Sequence, residues 1–178
     1  MTPEFYYMIS DSLANLSHGE QDLLVKFCRE LPPWGTVVNL GAGNGCSAAA
    51  ILSSRPDLTL FSVDAQKESH PLGSLDGEMV SLKRCGLVPT DRLHQIHHNS
   101  QDWHLPDNIK ADIVFVDACH DEIAVRADFA NWVPQLKPGG VLMFHDWETT
   151  GGFLLDLVED FPLIASERLI RAFRVPAL

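Results

Sequence analysis

The chain is short of basic residues, of tyrosine and of paired cysteines, and each shortage removes a class of protein. Lys and Arg number 13 against 24 Asp and Glu, for a formal charge of -11 over 178 residues. Nucleic-acid backbones are held mainly by basic side chains that neutralise phosphates, so no nucleic-acid partner is expected. The four cysteines, Cys28, Cys46, Cys85 and Cys119, are widely spaced and form no CxxC. That spacing argues against a disulfide framework or a zinc knuckle and points to free thiols. With only two tyrosines, the chain has no Tyr-x-x-x-Lys pair of the kind that reduces carbonyls. It has no run of about 18 apolar residues to span a bilayer. Its start, Met1-Thr2-Pro3-Glu4-Phe5, lacks the basic-then-apolar order of a secretory signal. The expected location is the cytoplasm, with no membrane partner. Apolar material is plentiful: 46% hydrophobic residues are enough for one compact core that needs neither metal nor disulfide.

Strand-like and helix-like patterns alternate without a linker or repeat. This predicts an α/β fold: a single doubly wound domain over residues 1–178, its sheet mostly parallel, with helices on both faces and a helical segment over 1–34. Ser17 with Glu20 forms a capping box, and Leu23, Leu24, Phe27 and Leu31 repeat at helical spacing until Pro32-Pro33. Strands are predicted at 36–40, 58–63, 92–98, 111–116 and 141–144, with helices at 48–53 and near 75–85. The apolar run 111–116 reads as a central strand buried on both faces. After Asp121, a helix presents Val125, Phe129, Trp132, Val133 and Leu136 on one face, and Lys137-Pro138-Gly139-Gly140 is read as its stop. Gly151-Gly152 is read as opening a helix through about Asp160, and 163–166 and 170–175 as two antiparallel edge strands.

The most informative stretch runs from Val37 to Ser47. A β-branched strand ends in three alternate glycines, Gly41, Gly43 and Gly45, and passes into an alanine-rich helix, an arrangement suited to holding a nucleotide-like ligand against backbone. Asp64 ends the next strand, roughly 20 residues on, where a carboxylate can accept hydrogen bonds from ribose hydroxyls. The same carboxylate would serve NAD, so a nicotinamide-dependent oxidoreductase stands as an alternative, although the GxGxxG spacing is missing.

With the glycine loop, Asp64, Ser100-Gln101-Asp102, Asp117 and Lys137-Pro138-Gly139-Gly140 in order, the chain resembles the class I S-adenosylmethionine-dependent methyltransferases over about residues 35–148. The pairing of Val116-Asp117-Ala118-Cys119-His120-Asp121 with Phe144-His145-Asp146-Trp147 resembles the metal-assisted small-molecule O-methyltransferases, both catechol-type and sugar-modifying. The resemblance implies a Rossmann-like sheet with an antiparallel carboxyl-terminal hairpin, and Gly41, Gly43 and Gly45 beside the methionine portion of S-adenosylmethionine. It further implies Asp64 on the ribose diol, with Ser100 and Gln101 along the adenine edge. Asn39 stands where the family usually has Asp or Glu to anchor the ammonium group. An amide can accept a hydrogen bond but supplies no charge, so weaker cofactor binding is expected. The amino-methylating signature Asn-Pro-Pro-aromatic is absent after Val116.

In this fold Asp117, His145 and Asp146 lie at the carboxyl ends of neighbouring strands and form a candidate divalent-metal cup, with Asp117 also near the cofactor. Carboxylates favour Mg²⁺, while an imidazole shifts preference toward Mn²⁺ and later metals. His120 is the candidate general base for a hydroxylated small-molecule substrate, because imidazole titrates near neutral pH. The alternatives are a His145–Asp146 pair with no ion, Asp117 or Asp121 as a helix cap, and a non-catalytic S-adenosylmethionine-binding or regulatory protein. His97 and His98 face opposite sides of a strand and are read as structural or surface residues. Trp103, Trp147 and the segment Phe5-Tyr6-Tyr7-Met8 fit an apolar substrate wall or ordinary packing. A homodimer is compatible with the sequence.

Overall fold

The computed structural model describes residues 16–65, 75–87 and 91–176. Helix α1 (His18–Glu30) precedes strand β1 (Thr36–Leu40), and α2 (Cys46–Ser54), β2 (Thr59–Asp64), α3 (Leu75–Arg84) and β3 (Leu93–His97) follow. Next come β4 (Ala111–Val116), α4 (Glu122–Trp132), β5 (Leu136–Phe144), the one-turn α5 (Trp147–Thr150), β6 (Leu163–Glu167) and β7 (Ile170–Arg174). The segment Phe5-Tyr6-Tyr7-Met8 lies outside the described residues.

These strands form one seven-stranded sheet in the order β3-β2-β1-β4-β5-β7-β6. The first five are parallel, whereas β7 runs antiparallel to both β5 and β6. The doubly wound sheet and its hairpin agree with the sequence reading. The tail differs in one respect: β7 is not an edge strand but lies inside the sheet, with Phe144 opposite Arg171.

Successive side chains on a strand point to opposite faces, so β1 and β4 feed two cores. Val37, Ile113 and Phe115 pack with Leu24, Ile51 and Leu82 of α1, α2 and α3 on one face. Val38, Leu40, Val114 and Val116 pack with Trp132 of α4 on the other. Every residue of β1 and β4 is buried, as expected of central parallel strands covered on both sides.

Two expectations about local structure are corrected. α4 stops at Trp132, and Leu136 already begins β5, so Lys137-Pro138-Gly139-Gly140 lies inside that strand rather than ending a helix. Pro138 has no amide to donate, and the sheet accommodates it where the β4–β5 pairing shifts between Ala111 and Ile113. Gly151-Gly152 does not open a helix through Asp160. A short 3₁₀ turn, Gly151–Phe153, follows α5 instead, and Gly151 is needed there because a Cβ would meet the Trp147 indole at 2.4 Å. Among the described residues, no helix is long and apolar enough to cross a membrane.

Candidate active site

Parallel strands deliver their carboxyl ends to one edge of the sheet, and chain order reverses between β1 and β4, the usual position for a ligand crevice. Backbone bonds tie the loops at that edge to the strands: Gly41 N–H donates to Val63 O, Asp117 N–H to Leu40 O and His145 N–H to Val116 O. A cleft opens there, lined by Gly41, Ala42, Gly43, Asn44 and Ser47 on one side and Asp117 on the other.

All three loop glycines have positive φ: 90° at Gly41, 48° at Gly43 and 83° at Gly45. Two of them serve chain-to-chain approach. A Cβ on Gly41 would lie 2.2 Å from Asp117 O, and one on Gly45 would lie 2.9 Å from Glu78 Cα. The loop therefore nests between β4 and α3. Asp64 holds it from the side, its Oδ2 accepting the Ala42 N–H at 2.9 Å.

Asn39 is fully buried beneath the loop. Its Nδ2 donates to Gly41 O at 3.1 Å and to Ser62 Oγ at 3.3 Å, and its Oδ1 has no partner among the described residues. The Ser62 hydroxyl donates to Glu78 Oε1 at 2.6 Å, and Gln95 Nε2 donates to Glu78 Oε2 at 2.7 Å. Glu78 is completely buried. Burial, helped by the charge of Asp64 and opposed by the Ser62 and Gln95 bonds, raises its carboxyl to about 7. The sequence carried a signal for it, since Leu75, Glu78 and Leu82 fall on one helical face between buried neighbours.

This titration has a sign that can be tested. The unfolded chain loses the Glu78 proton near 4.5 and the folded chain keeps it to about 7. Between those values the folded state binds the extra proton, and stability falls as pH rises, by about 3 kcal/mol in all. Glu78→Gln removes the effect. Urea unfolding of both proteins is expected to show the variant gaining about that much on wild type from pH 4.5 to 7.5; a difference that stays constant with pH would refute the assignment.

Ser100 is turned inward. Its hydroxyl donates to the buried Asp128 at 2.6 Å, and its carbonyl accepts from Asn131 Nδ2 and Trp132 Nε1. Burial and the nearby Asp121 charge raise Asp128 to about 6 against the lowering effect of the Ser100 bond. Gln101 is half-buried, its Oε1 accepting from Asn99. Asp121 caps α4 through the Ala124 N–H, as one of the sequence alternatives held. Trp103 meets Phe61 and Trp132, and Trp147 meets Phe144 and Phe173, in tilted ring contacts, so both half-buried indoles pack against the second core. His97 and His98 are exposed and contact backbone carbonyls.

The acidic edge of the cleft holds one more imidazole than the expected cup. Asp117, His120 and Asp146 bring one donor atom each within 4.8 Å of one another, with His120 Nε2 lying 3.2 Å from Asp146 Oδ2 and 3.9 Å from Asp117 Oδ1. His145, the expected third member, lies behind them with a side chain only 3% exposed. Its Nδ1 is 3.1 Å from Asp117 Oδ1 and 3.0 Å from Asp146 Oδ2, and its Nε2 is 3.6 Å from Glu20 Oε1. These are ion-pair contacts without the alignment of regular hydrogen bonds. Both ring nitrogens face carboxylates, which favours a proton on each and leaves no free lone pair for a metal.

Burial pushes His145 down, but the contacts with Asp117 and Glu20 and the charges of Asp117 and Asp146 raise it further, to about 10. Burial acts to raise Glu20, yet His145, Ser17 and the Leu169 amide bring it to about 2. The Asp117 contact raises His120, burial opposes it, and the Asp146 charge adds to the rise. Asp146 itself has φ 50° and ψ 38°, a left-handed conformation that is uncommon away from glycine and clusters at functional sites. Glu20 was legible in the sequence only as a helix cap.

Fold and crevice together define a doubly wound protein with a cleft where the strand order reverses. A family described as methyltransferase domain matches residues 38–147, more than half of the chain. The chain belongs to this family, and its fold is that of the class I S-adenosylmethionine-dependent methyltransferases. TomG, an O-methyltransferase of Streptomyces achromogenes involved in tomaymycin synthesis and solved with S-adenosylmethionine, is 14% identical with a TM-score of 0.73, over 99% of this chain and 91% of that one. NodS, an N-methyltransferase from Bradyrhizobium japonicum solved with S-adenosyl-L-homocysteine, is 15% identical with a TM-score of 0.63, over 97% and 98%. At these identities the likeness is one of fold. An uncharacterized protein of Sinorhizobium fredii, y4gI, is 43% identical over 42 residues, which span 24% of this chain and 5% of that protein.

Proposed function

We propose that this protein transfers the methyl group of S-adenosylmethionine to a hydroxyl oxygen of a small molecule, with a divalent cation assisting. The observation that carries this reading is the position of Asp117, which lines the glycine-loop cleft and also belongs to the cluster with His120 and Asp146. A donor in the cleft and an acceptor over the cluster would therefore lie side by side. The S–CH₃ bond breaks as the O–CH₃ bond forms, S-adenosylhomocysteine leaves, and the hydroxyl proton passes to His120. Because the sulfonium is already activated, alignment supplies most of the rate.

In this reading Asp64 holds the ribose and Asn39, by way of Gly41, braces the loop near the methionine end. Gln101 flanks the adenine, while Ser100, whose hydroxyl is held by Asp128 and whose carbonyl is held by Asn131 and Trp132, shapes the loop behind it. Two carboxylates on the open side of the cluster, those of Asp117 and Asp146, suit a hard divalent ion such as Mg²⁺ or Mn²⁺. Such an ion would lower the pKa of the attacking hydroxyl and orient it. A second reading, cofactor binding without transfer, is favoured by the neutral Asn39.

Calorimetry with S-adenosylmethionine and NAD, followed by a screen of hydroxylated metabolites for methyl transfer, separates these readings. S-adenosylmethionine is expected to bind wild type and to be lost in Asp64→Ala. His120→Ala is expected to bind the donor normally while turnover drops about 10²- to 10⁴-fold. Binding of NAD alone would overturn the assignment, and undiminished turnover in His120→Ala would remove the base.

A further inference from the structure

We propose that Glu20, in the first turn of α1, is a positioning residue of the candidate centre: it holds His145 so that the opposite edge of the imidazole braces the carboxylates of Asp117 and Asp146. The inference rests on the cation-assisted reading above. A capping-box carboxylate ordinarily serves only its own helix, and Glu20 does that with one oxygen. Its Oε2 accepts the Ser17 N–H and the Ser17 hydroxyl, each at 2.7 Å. The other oxygen points into the protein, where Oε1 accepts the Leu169 N–H at 3.0 Å and lies 3.6 Å from His145 Nε2.

The Glu20 and His145 side chains are both only 3% exposed. Burying a carboxylate is costly unless it is paired, and capping α1 gives no reason to bury one. On its far side, His145 Nδ1 is 3.1 Å from Asp117 and 3.0 Å from Asp146. A continuous line of carboxylate, imidazole and paired carboxylates thus runs from α1 to the cleft. Groups that stand behind metal-binding carboxylates fix their orientation, and losing one commonly weakens metal binding 10- to 100-fold. Through this line the placement of α1 sets the spacing of Asp117 and Asp146.

The test is calorimetric titration of the whole chain with Mn²⁺ alone, with the melting temperature of each variant recorded beside it. Glu20→Gln is expected to weaken Mn²⁺ binding about 10- to 100-fold. Ser17→Ala, which removes the capping hydroxyl and does not touch His145, is expected to lower the melting temperature by a few degrees and leave Mn²⁺ affinity unchanged. His145→Gln must lose at least as much affinity as Glu20→Gln, and adding Glu20→Gln to it must cost little more. Should Glu20→Gln fail to fold, unchanged Mn²⁺ affinity in His145→Gln overturns the inference from the other end. Wild-type affinity in folded Glu20→Gln also overturns it, while the cation site stands. Failure of wild type to bind Mn²⁺ would overturn the site and this inference together, and S-adenosylmethionine calorimetry would still decide the methyl-transfer reading.

Discussion

Gly41→Ala is expected to destabilise the protein by about 4 kcal/mol and to lower its melting temperature by roughly 10 °C. Two penalties coincide at this residue. Its φ of +90° strains any L side chain, and the added Cβ would lie 2.2 Å from Asp117 O and 2.8 Å from Asp117 C. Those are backbone atoms at the end of a strand buried on both faces, so the contact cannot be relieved by a rotamer change. Gly139 isolates the first penalty, because its φ is +76° and a Cβ added there would meet nothing within 4 Å among the described residues. Gly139→Ala is expected to cost only about 1 kcal/mol. Thermal unfolding of the two variants decides the matter: equal, small losses would sink the close-approach account. Any surviving Gly41→Ala protein must also have displaced Asp117, and donor binding should fail with it.

Asp117→Asn is expected to reduce methyl transfer about a thousandfold, since each 1.36 kcal/mol of lost transition-state stabilisation is a factor of ten and a Lewis-acid seat is worth several such units. The substitution keeps shape and removes charge from a residue that faces the cleft, His120 and His145 at once. His145 retains Asp146 and Glu20 as partners, so the variant should fold. Initial-rate assays on an identified acceptor, with Mn²⁺ calorimetry beside them, check both halves of the claim. Wild-type turnover in Asp117→Asn would take this residue out of the chemistry.

Central elements were legible in the sequence because their signals are local. β1 and β4 span 36–40 and 111–116 as expected, each an apolar run bounded by turn residues. The turn at 41–45 was legible from its glycines, but not the further demand on two of them: Gly41 and Gly45 also make room for Asp117 and Glu78. Where local signals conflict with sheet pairing, pairing prevails, which is why Pro138 and two glycines sit within β5. The same limit applies to the site. Asp117, His120 and Asp146 announce themselves as polar residues near strand ends, whereas knowing that His145 is buried against the two carboxylates while His120 is exposed beside them requires side-chain directions. Glu20 is separated from Leu169 by 149 positions, and no periodicity links residues so far apart.

The seat of β7 has a consequence for biosynthesis. A nascent chain ending at residue 162 already contains Asp117, His120, His145 and Asp146, yet β5 has lost the neighbour that pairs Val141 through Phe144, and the Leu169 amide that meets Glu20 is missing. During translation, that bare strand flank is open to pairing with a second chain until 163–174 clear the ribosome.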